Sequence, residues 1–301
     1  SVTSFLSYSI LHVQDDFQRR DAVKPSPFLP SVLNKLAAGE IETGNRVHDP
    51  VRFLHRVTGH ANREFTGLVA ASLAFGRVDV MLRTLDSVFN ILGPEPAPAL
   101  QHMDIEEQFQ HFQYRFISGP AMMGLLTGIE SIVTRGPLVE VVRGTDPSGW
   151  ASALRQAILD GSRYPAALDA SNLLANPQKG SALKRWMLFF RWMVRKDAVD
   201  PGTWSQTLDP SDLVIPLDTH MARICRFLGL TQSSASTWSN AMRITDGFRR
   251  FCPEDPVRYD FPLTQLGIRG VCHKLTGRRK CISCPLQGVC TTGRMTVTSK
   301  D

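Results

Sequence analysis

Apolar residues recur at i, i+3 and i+4 along most of the chain, and no long stretch alternates with period two. The pattern predicts helices throughout. Ala61 to Phe75 reads as a buried helix, several further helices fill residues 105–195, and residues 1–50 read as one or two helices followed by a polar connection. Ser181–Lys196 is apolar almost all round (Leu183, Trp186, Met187, Leu188, Phe189, Phe190, Trp192, Met193, Val194), so it belongs inside a domain. Its cations Lys184, Arg191 and Arg195 are spaced by seven and four, which places them along one face. Met221, Ile224, Cys225 and Leu228 form another helical stripe, stopped by Gly229. Gly/Pro-rich breakers fall at residues 93–98, 144–149 and 201–202, and no internal repeat or low-complexity segment interrupts the series. The expected fold class is all-α.

Charge and composition narrow the class without fixing a function. The 301 residues carry 34 Lys and Arg against 28 Asp and Glu, a net +6, with a mean hydropathy of −0.11. No apolar run approaches the roughly 18 residues of a membrane span. Ser1 to Val13 lacks a basic leader and cleavage pattern, so a cytoplasmic, nucleoid-associated protein without membrane contact is expected. The excess charge is concentrated. Lys179 to Lys196 holds six basic residues and no acid, and Arg269 to Lys280 holds five and no acid. Together they exceed the whole net balance, so both are expected to face an anionic polymer.

Four of the six cysteines lie in the last 30 residues, as Cys272-x8-Cys281-x2-Cys284-x5-Cys290. In a reducing compartment this is a metal set rather than a disulfide framework. Structural zinc usually takes two close Cys pairs; here only Cys281 and Cys284 are close. A wider [4Fe–4S] cluster suits that spacing better, with zinc as the less favoured alternative. The first spacer carries Lys274, Arg278, Arg279 and Lys280 and no acid. It reads as a phosphate-contacting loop shaped by the metal centre.

Two further blocks carry chemistry. Leu217-Asp218-Thr219-His220 opens the stripe that begins at Met221, so Asp218 sits at an N-cap, and capping alone would explain it. Asn176 to Trp186 is a Pro/Gly-bearing turn leading into the apolar helix, with Lys184 in its first turn. Such a helix start binds phosphate through backbone N–H groups, and a lysine there is otherwise an ordinary surface residue.

Taken together and in order, these blocks resemble the helix-hairpin-helix DNA glycosylases of the endonuclease III superfamily. That superfamily carries a V-D-T-H segment, an L-P-G-V-G-x-K hairpin and a C-x6-C-x2-C-x5-C cluster loop. Gly180-Ser181-Ala182-Leu183-Lys184 keeps the first hairpin glycine and the lysine but has Ala182 for the second glycine. Leu68 to Val80 is similar to an early family helix, with Gly76 where the family's duplex-entering glutamine stands and Arg77 beside it. The stretch from Arg195 to Leu213 looks like an insertion, and residues 93–170 have no counterpart. A nearer resemblance is to a bacterial family without an assigned activity, sharing D-P-V-R-F-x-H-R, L-A-F-G-R-V, G-S-A-x-K-R and P-L-D-T-H blocks from Asp49, Leu73, Gly180 and Pro216.

The superfamily resemblance implies two helical domains with a DNA-binding cleft between them, a helix-hairpin-helix motif and a C-terminal cluster loop. Residues 1–60 would pack with a cluster domain at 215–301, and 61–214 would form the hairpin-bearing domain. It implies a DNA glycosylase, with AP-lyase activity, acting on double-stranded DNA with a modified or damaged base. Lys184 would be the nucleophile, Asp218 its partner, and Cys272, Cys281, Cys284 and Cys290 the cluster ligands. Gly180, Ser181, Arg185, Arg77, Lys274, Arg278, Arg279 and Lys280 would contact DNA, and Arg77 or Phe75 would fill the gap left by the extruded base. A monomer is expected. The alternatives are a non-catalytic DNA-binding protein of the same fold, or a monofunctional glycosylase in which Asp218 activates water. Protease, NTPase, dehydrogenase and serine-hydrolase signatures are absent.

Overall fold

The computed structural model describes residues 24–43, 46–142, 146–272 and 281–293. Helices dominate these residues. α1 spans Leu29–Thr43, α2 His60–Ser72, α3 Val78–Leu92, α4 Pro96–His102, α5 Ile105–Phe109, α6 Gly119–Val133, α7 Val139–Val142, α8 Pro147–Gly161 and α9 Pro165–Ala170. α10 follows at Lys184–Val194, α11 at Thr219–Phe227, α12 at Trp238–Arg249 and α13 at Asp260–Ile268. Two of the three breaker regions coincide with helix starts: prolines stand in the first turns of α4 and α8, where the missing N–H costs nothing. The third, Pro201-Gly202, lies in the connection after α10, where Pro201 pairs with Lys196.

One element has no signature in the hydrophobic pattern. β1 (Gln113–Tyr114) and β2 (Ile117–Ser118) pair antiparallel across a two-residue turn, with Tyr114 opposite Ile117. Strands of two residues are too short to show a period.

The buried apolar side chains form one continuous cluster. In it α2, α6, α8 and α10 pack together, while α13 packs against α11 and α1. α1 is tied to the C-terminal part of the chain by polar bonds as well. The Tyr259 hydroxyl and Asn34 Oδ1 lie 2.8 Å apart, and Arg269 forks onto Glu40 at 2.6 and 2.7 Å. The stretch from Arg195 to Leu213, read from sequence as an insertion, contributes to the interior. Trp204 is buried and donates its indole N–H to the buried Glu64 of α2 at 2.6 Å. The backbone N–H of Leu138 satisfies the second Glu64 oxygen at 3.0 Å. No helix among the described residues is long and apolar enough to cross a membrane.

Candidate active site

α10 begins abruptly. Leu183, buried, takes φ +51°, a left-handed conformation that a leucine adopts only at a cost. The preceding turn contains Gly180 at φ +69°, where glycine is the low-cost residue. Backbone bonds staple this turn to the start of α12: Ala182 donates to Ser236 at 3.0 Å and Trp238 to Gly180 at 3.1 Å. The Ala182 N–H is therefore already used. The reversal brings Lys184 out as the first residue of α10.

Opposite it, Asp218 caps α11. Its Oδ1 accepts the backbone N–H groups of His220 and Met221 at 2.9 and 2.8 Å. Its Oδ2 accepts Lys184 Nζ at 2.7 Å. The capping expectation is met by one oxygen of the carboxylate, and the other oxygen is the one that contacts Lys184. Both side chains are a little over one-third exposed, 36% for Lys184 and 38% for Asp218. Burial pushes the Asp218 carboxyl up, but the Lys184 charge and hydrogen bond with the Met221 N–H outweigh it, and the group lies below its usual range.

The pair stands in the wall of a cavity of about 770 Å³. Asp49, Phe75, Arg185, Leu188, Arg191 and Asp260 also line it. That size would hold a nucleotide-sized ligand. His220, from the same L-D-T-H block, lies over α13. A Cβ on Gly267 would fall 1.8 Å from its Nε2, so the glycine allows α11 and α13 to approach.

The basic face of α10 is real but points inward beyond Lys184. Arg191 and Arg195 are 1% and 5% exposed. Arg191 pairs with Asp260 and with Asp200, the latter at 3.2 Å. Arg195 pairs with Asp200, with Asp255 at 2.9 Å and with Asp197 at 2.9 Å. The expectation that all six cations of residues 179–196 form a DNA-facing patch is therefore corrected. Two of them are consumed by carboxylates that lie between two and 69 residues away in sequence. Burial raises the Asp260 carboxyl to about 6 despite the opposing pull of Arg191. Burial likewise raises Asp49.

The remaining expected DNA contacts divide. Ser181 is exposed and lines the cavity. Arg185 donates to the Ser72 carbonyl at 3.0 Å and to the Asn172 carbonyl, and its guanidinium sits 5.3 Å from the Phe75 ring centroid. Burial lowers it to about 10, still charged at neutral pH. Arg77 forks onto Asp79 at 3.2 and 3.0 Å on the surface. Lys274, Arg278, Arg279 and Lys280 lie outside the described residues.

Cys272, Cys281, Cys284 and Cys290 line one smaller cavity of about 210 Å³, walled by Ile224, Phe227, Leu228, Val271 and Leu286. Burial raises the Cys272 and Cys284 thiols, and the neighbouring sulfurs of the set add to the shift. No trio of His, Cys, Asp and Glu among the described residues closes on a single-ion point. Four thiols around a partly buried apolar hollow are a donor set that fits a soft metal centre. Arg223 of α11 links this hollow to the larger cavity's wall. It bonds His220 Nδ1 at 2.7 Å and the Cys272 carbonyl at 3.4 Å.

No curated protein and no solved structure matches the chain. A family model described as protein of unknown function (DUF2400) matches residues 49–269, a span that includes Lys184 and Asp218 and ends before the four cysteines. The chain belongs to that family.

Proposed function

We propose that this protein is a DNA glycosylase with lyase activity, excising a modified or damaged base from duplex DNA. The observation that carries the reading is the 2.7 Å contact between Lys184 Nζ and Asp218 Oδ2 in the wall of a nucleotide-sized cavity. An amine and a carboxylate so placed provide a nucleophile and a group that takes its proton. Two helical lobes, one carrying the hairpin before Lys184 and one carrying Asp218 and the cysteines, would hold the duplex between them.

A base inside a duplex is out of reach, so the nucleotide must first swing into the cavity. Lys184 Nζ, as the neutral amine after giving up its proton, then attacks C1′ while the bond from C1′ to the base nitrogen breaks. Its electron pair leaves with the base, which takes up a proton. Asp218 stabilises the positive charge developing at C1′ and accepts the proton lost by the amine. Opening of the sugar ring leaves an imine between Lys184 and C1′, and loss of a C2′ proton expels the 3′ phosphate. Cys272, Cys281, Cys284 and Cys290 would hold a [4Fe–4S] cluster, whose contribution is to shape the loop between the first two ligands.

Borohydride reduction of the imine is the direct test. The full-length protein, incubated with duplexes carrying uracil, oxidised, hydroxymethylated or alkylated bases, should give a covalent adduct with at least one of them. Lys184→Ala should give none. Asp218→Asn should lose base release by orders of magnitude while binding the duplex nearly as well as the parent. Base release without an adduct would assign the monofunctional mechanism, in which Asp218 activates water. Absence of base release from every duplex would reject the enzymatic reading.

A further inference from the structure

The β1–β2 hairpin puts an unusual pair of side chains against Phe75, a residue that lines the larger cavity. Phe116 is 61% exposed at the turn, in a molecule whose other aromatic side chains are mostly buried. Its neighbour Arg115 takes φ +54°, a turn position where glycine or asparagine is the low-cost choice. An exposed ring and a left-handed arginine each cost folding energy, and local strain of this kind persists where the surroundings hold it in place. Here they do. Ile117 is fully buried, and the Tyr114 hydroxyl donates to the Phe75 carbonyl. A Cβ on Gly76 would lie 2.9 Å from Arg115 Nη1 and 3.1 Å from the Tyr114 oxygen, so the chain below the hairpin is cut back to let it sit.

The tip does not stand alone. The Phe116 ring stacks on Phe75, with centroids 5.3 Å apart and planes inclined by 21°. Phe75 itself lines the cavity, and the guanidinium groups of Arg115 and Arg185 lie 5.9 and 5.3 Å from its ring. The result is a rigid aromatic step with cations around it, reaching from the cavity wall into solvent.

We infer that Phe116 is the side chain that enters the base stack and fills the space vacated when a nucleotide moves into the cavity, with Arg115 contacting the adjoining backbone or base. This inference rests on the duplex-DNA reading of the cavity. An aromatic face stacks on any nucleobase, and apolar wedges between base steps are a recurrent means of opening a duplex. The brace beneath the tip means that little ordering is required at the moment of insertion. Of the residues expected in this role from sequence, Phe75 lies beneath Phe116, and Arg77 forks onto Asp79 on the surface.

The test compares two duplexes that differ at one position, an intact one and one carrying a tetrahydrofuran abasic analogue opposite 2-aminopurine. Binding is followed by anisotropy and by 2-aminopurine emission with the full-length protein. The parent should prefer the tetrahydrofuran duplex and change the emission of the opposing base. Phe116→Ala, a surface change, should lose about tenfold of that preference while its affinity for intact duplex stays nearly unchanged. Phe116→Trp should restore the preference, with tryptophan emission quenched on binding. If the parent shows the preference and Phe116→Ala keeps it in full, the wedge assignment is overturned and the glycosylase reading stands. If the parent distinguishes neither duplex, the wedge is overturned as well. A Phe116-dependent preference in a protein that releases no base would uphold the wedge and reject the chemistry.

Discussion

Asp218 divides its two oxygens between two partners, and the division can be measured. Oδ1 holds the first turn of α11 and Oδ2 holds Lys184. Asparagine keeps the capping oxygen but loses the charge, so Asp218→Asn isolates the ion pair. The pair is partly exposed, and its contribution is discounted accordingly to about 0.5–1 kcal/mol. Asp218→Ala removes the cap too, costing about 1 kcal/mol more. The sign with pH follows from the lowered carboxyl. The folded protein binds the Asp218 proton less readily than the unfolded chain, so the stabilisation is complete above the usual value of 3.8 and is lost as pH falls through the lower folded value. Urea unfolding of the parent and of Asp218→Asn should therefore differ at pH 7 and converge in strong acid. A gap that widened on acidification would contradict the pairing.

At the scale of elements, α10 is a mostly apolar helix, and Lys184 and Arg191 on it and Arg195 at its C-terminal cap each meet a carboxylate. The first pair lies open to the large cavity, and the Arg191–Asp260 pair is buried at its edge. The Arg195 pairs lie outside the cavity wall, and Asp197 and Asp255 keep 17% and 21% side-chain exposure. This gradation gives a contrast between positions. Arg191→Leu leaves the buried Asp260 without its cation and Asp200 with Arg195 alone, and should destabilise the protein by about 3–5 kcal/mol. Arg77→Ala, which loses only an exposed pair with Asp79, should change stability by less than about 0.5 kcal/mol. Denaturant midpoints with unchanged slope would measure both.

The same helix shows what could be read without coordinates. Its apolar girth and the shared face of Lys184, Arg191 and Arg195 follow from residue spacing alone. The partners do not, because Asp200 belongs to a stretch that reads as an insertion and Asp260 lies on another helix. A run of cations that holds no acid within it therefore reads as a surface patch, although Arg191 and Arg195 in it are turned inward onto carboxylates. The β1–β2 hairpin was illegible for a different reason: its strands are two residues long, and its turn carries Arg and Phe instead of the usual Asn and Gly. The pattern places Lys184 and Asp218 at helix starts, but only the superfamily resemblance singles them out together, because nothing in the spacing shows that residues 34 positions apart meet.

For the whole molecule, the two buried arginines change where the DNA affinity of the proposed function would have to come from. Of the six cations between Lys179 and Lys196, Arg191 and Arg195 face carboxylates in the interior, Lys184 holds Asp218, and Arg185 holds two carbonyls. Lys179 and Lys196 are the exposed members. On the proposed DNA-binding reading, phosphate contact would fall instead on the spacer between Cys272 and Cys281, which carries Lys274, Arg278, Arg279 and Lys280. Each phosphate neutralised releases counterions and adds about 0.9 to the slope of log affinity against log salt. Neutralising Arg278, Arg279 and Lys280 together should thus flatten the slope by up to about 3. Replacing Arg191 would leave it unchanged in whatever protein remains folded. If the four thiolates hold a cluster that fixes the ends of this spacer, Cys281→Ser should bleach the iron colour and lower the slope in step, although it removes no charge from the spacer. An unaltered slope in the triple variant would move the DNA contacts elsewhere on the protein. An unaltered slope in colourless Cys281→Ser would show that the loop binds phosphate without the metal's help.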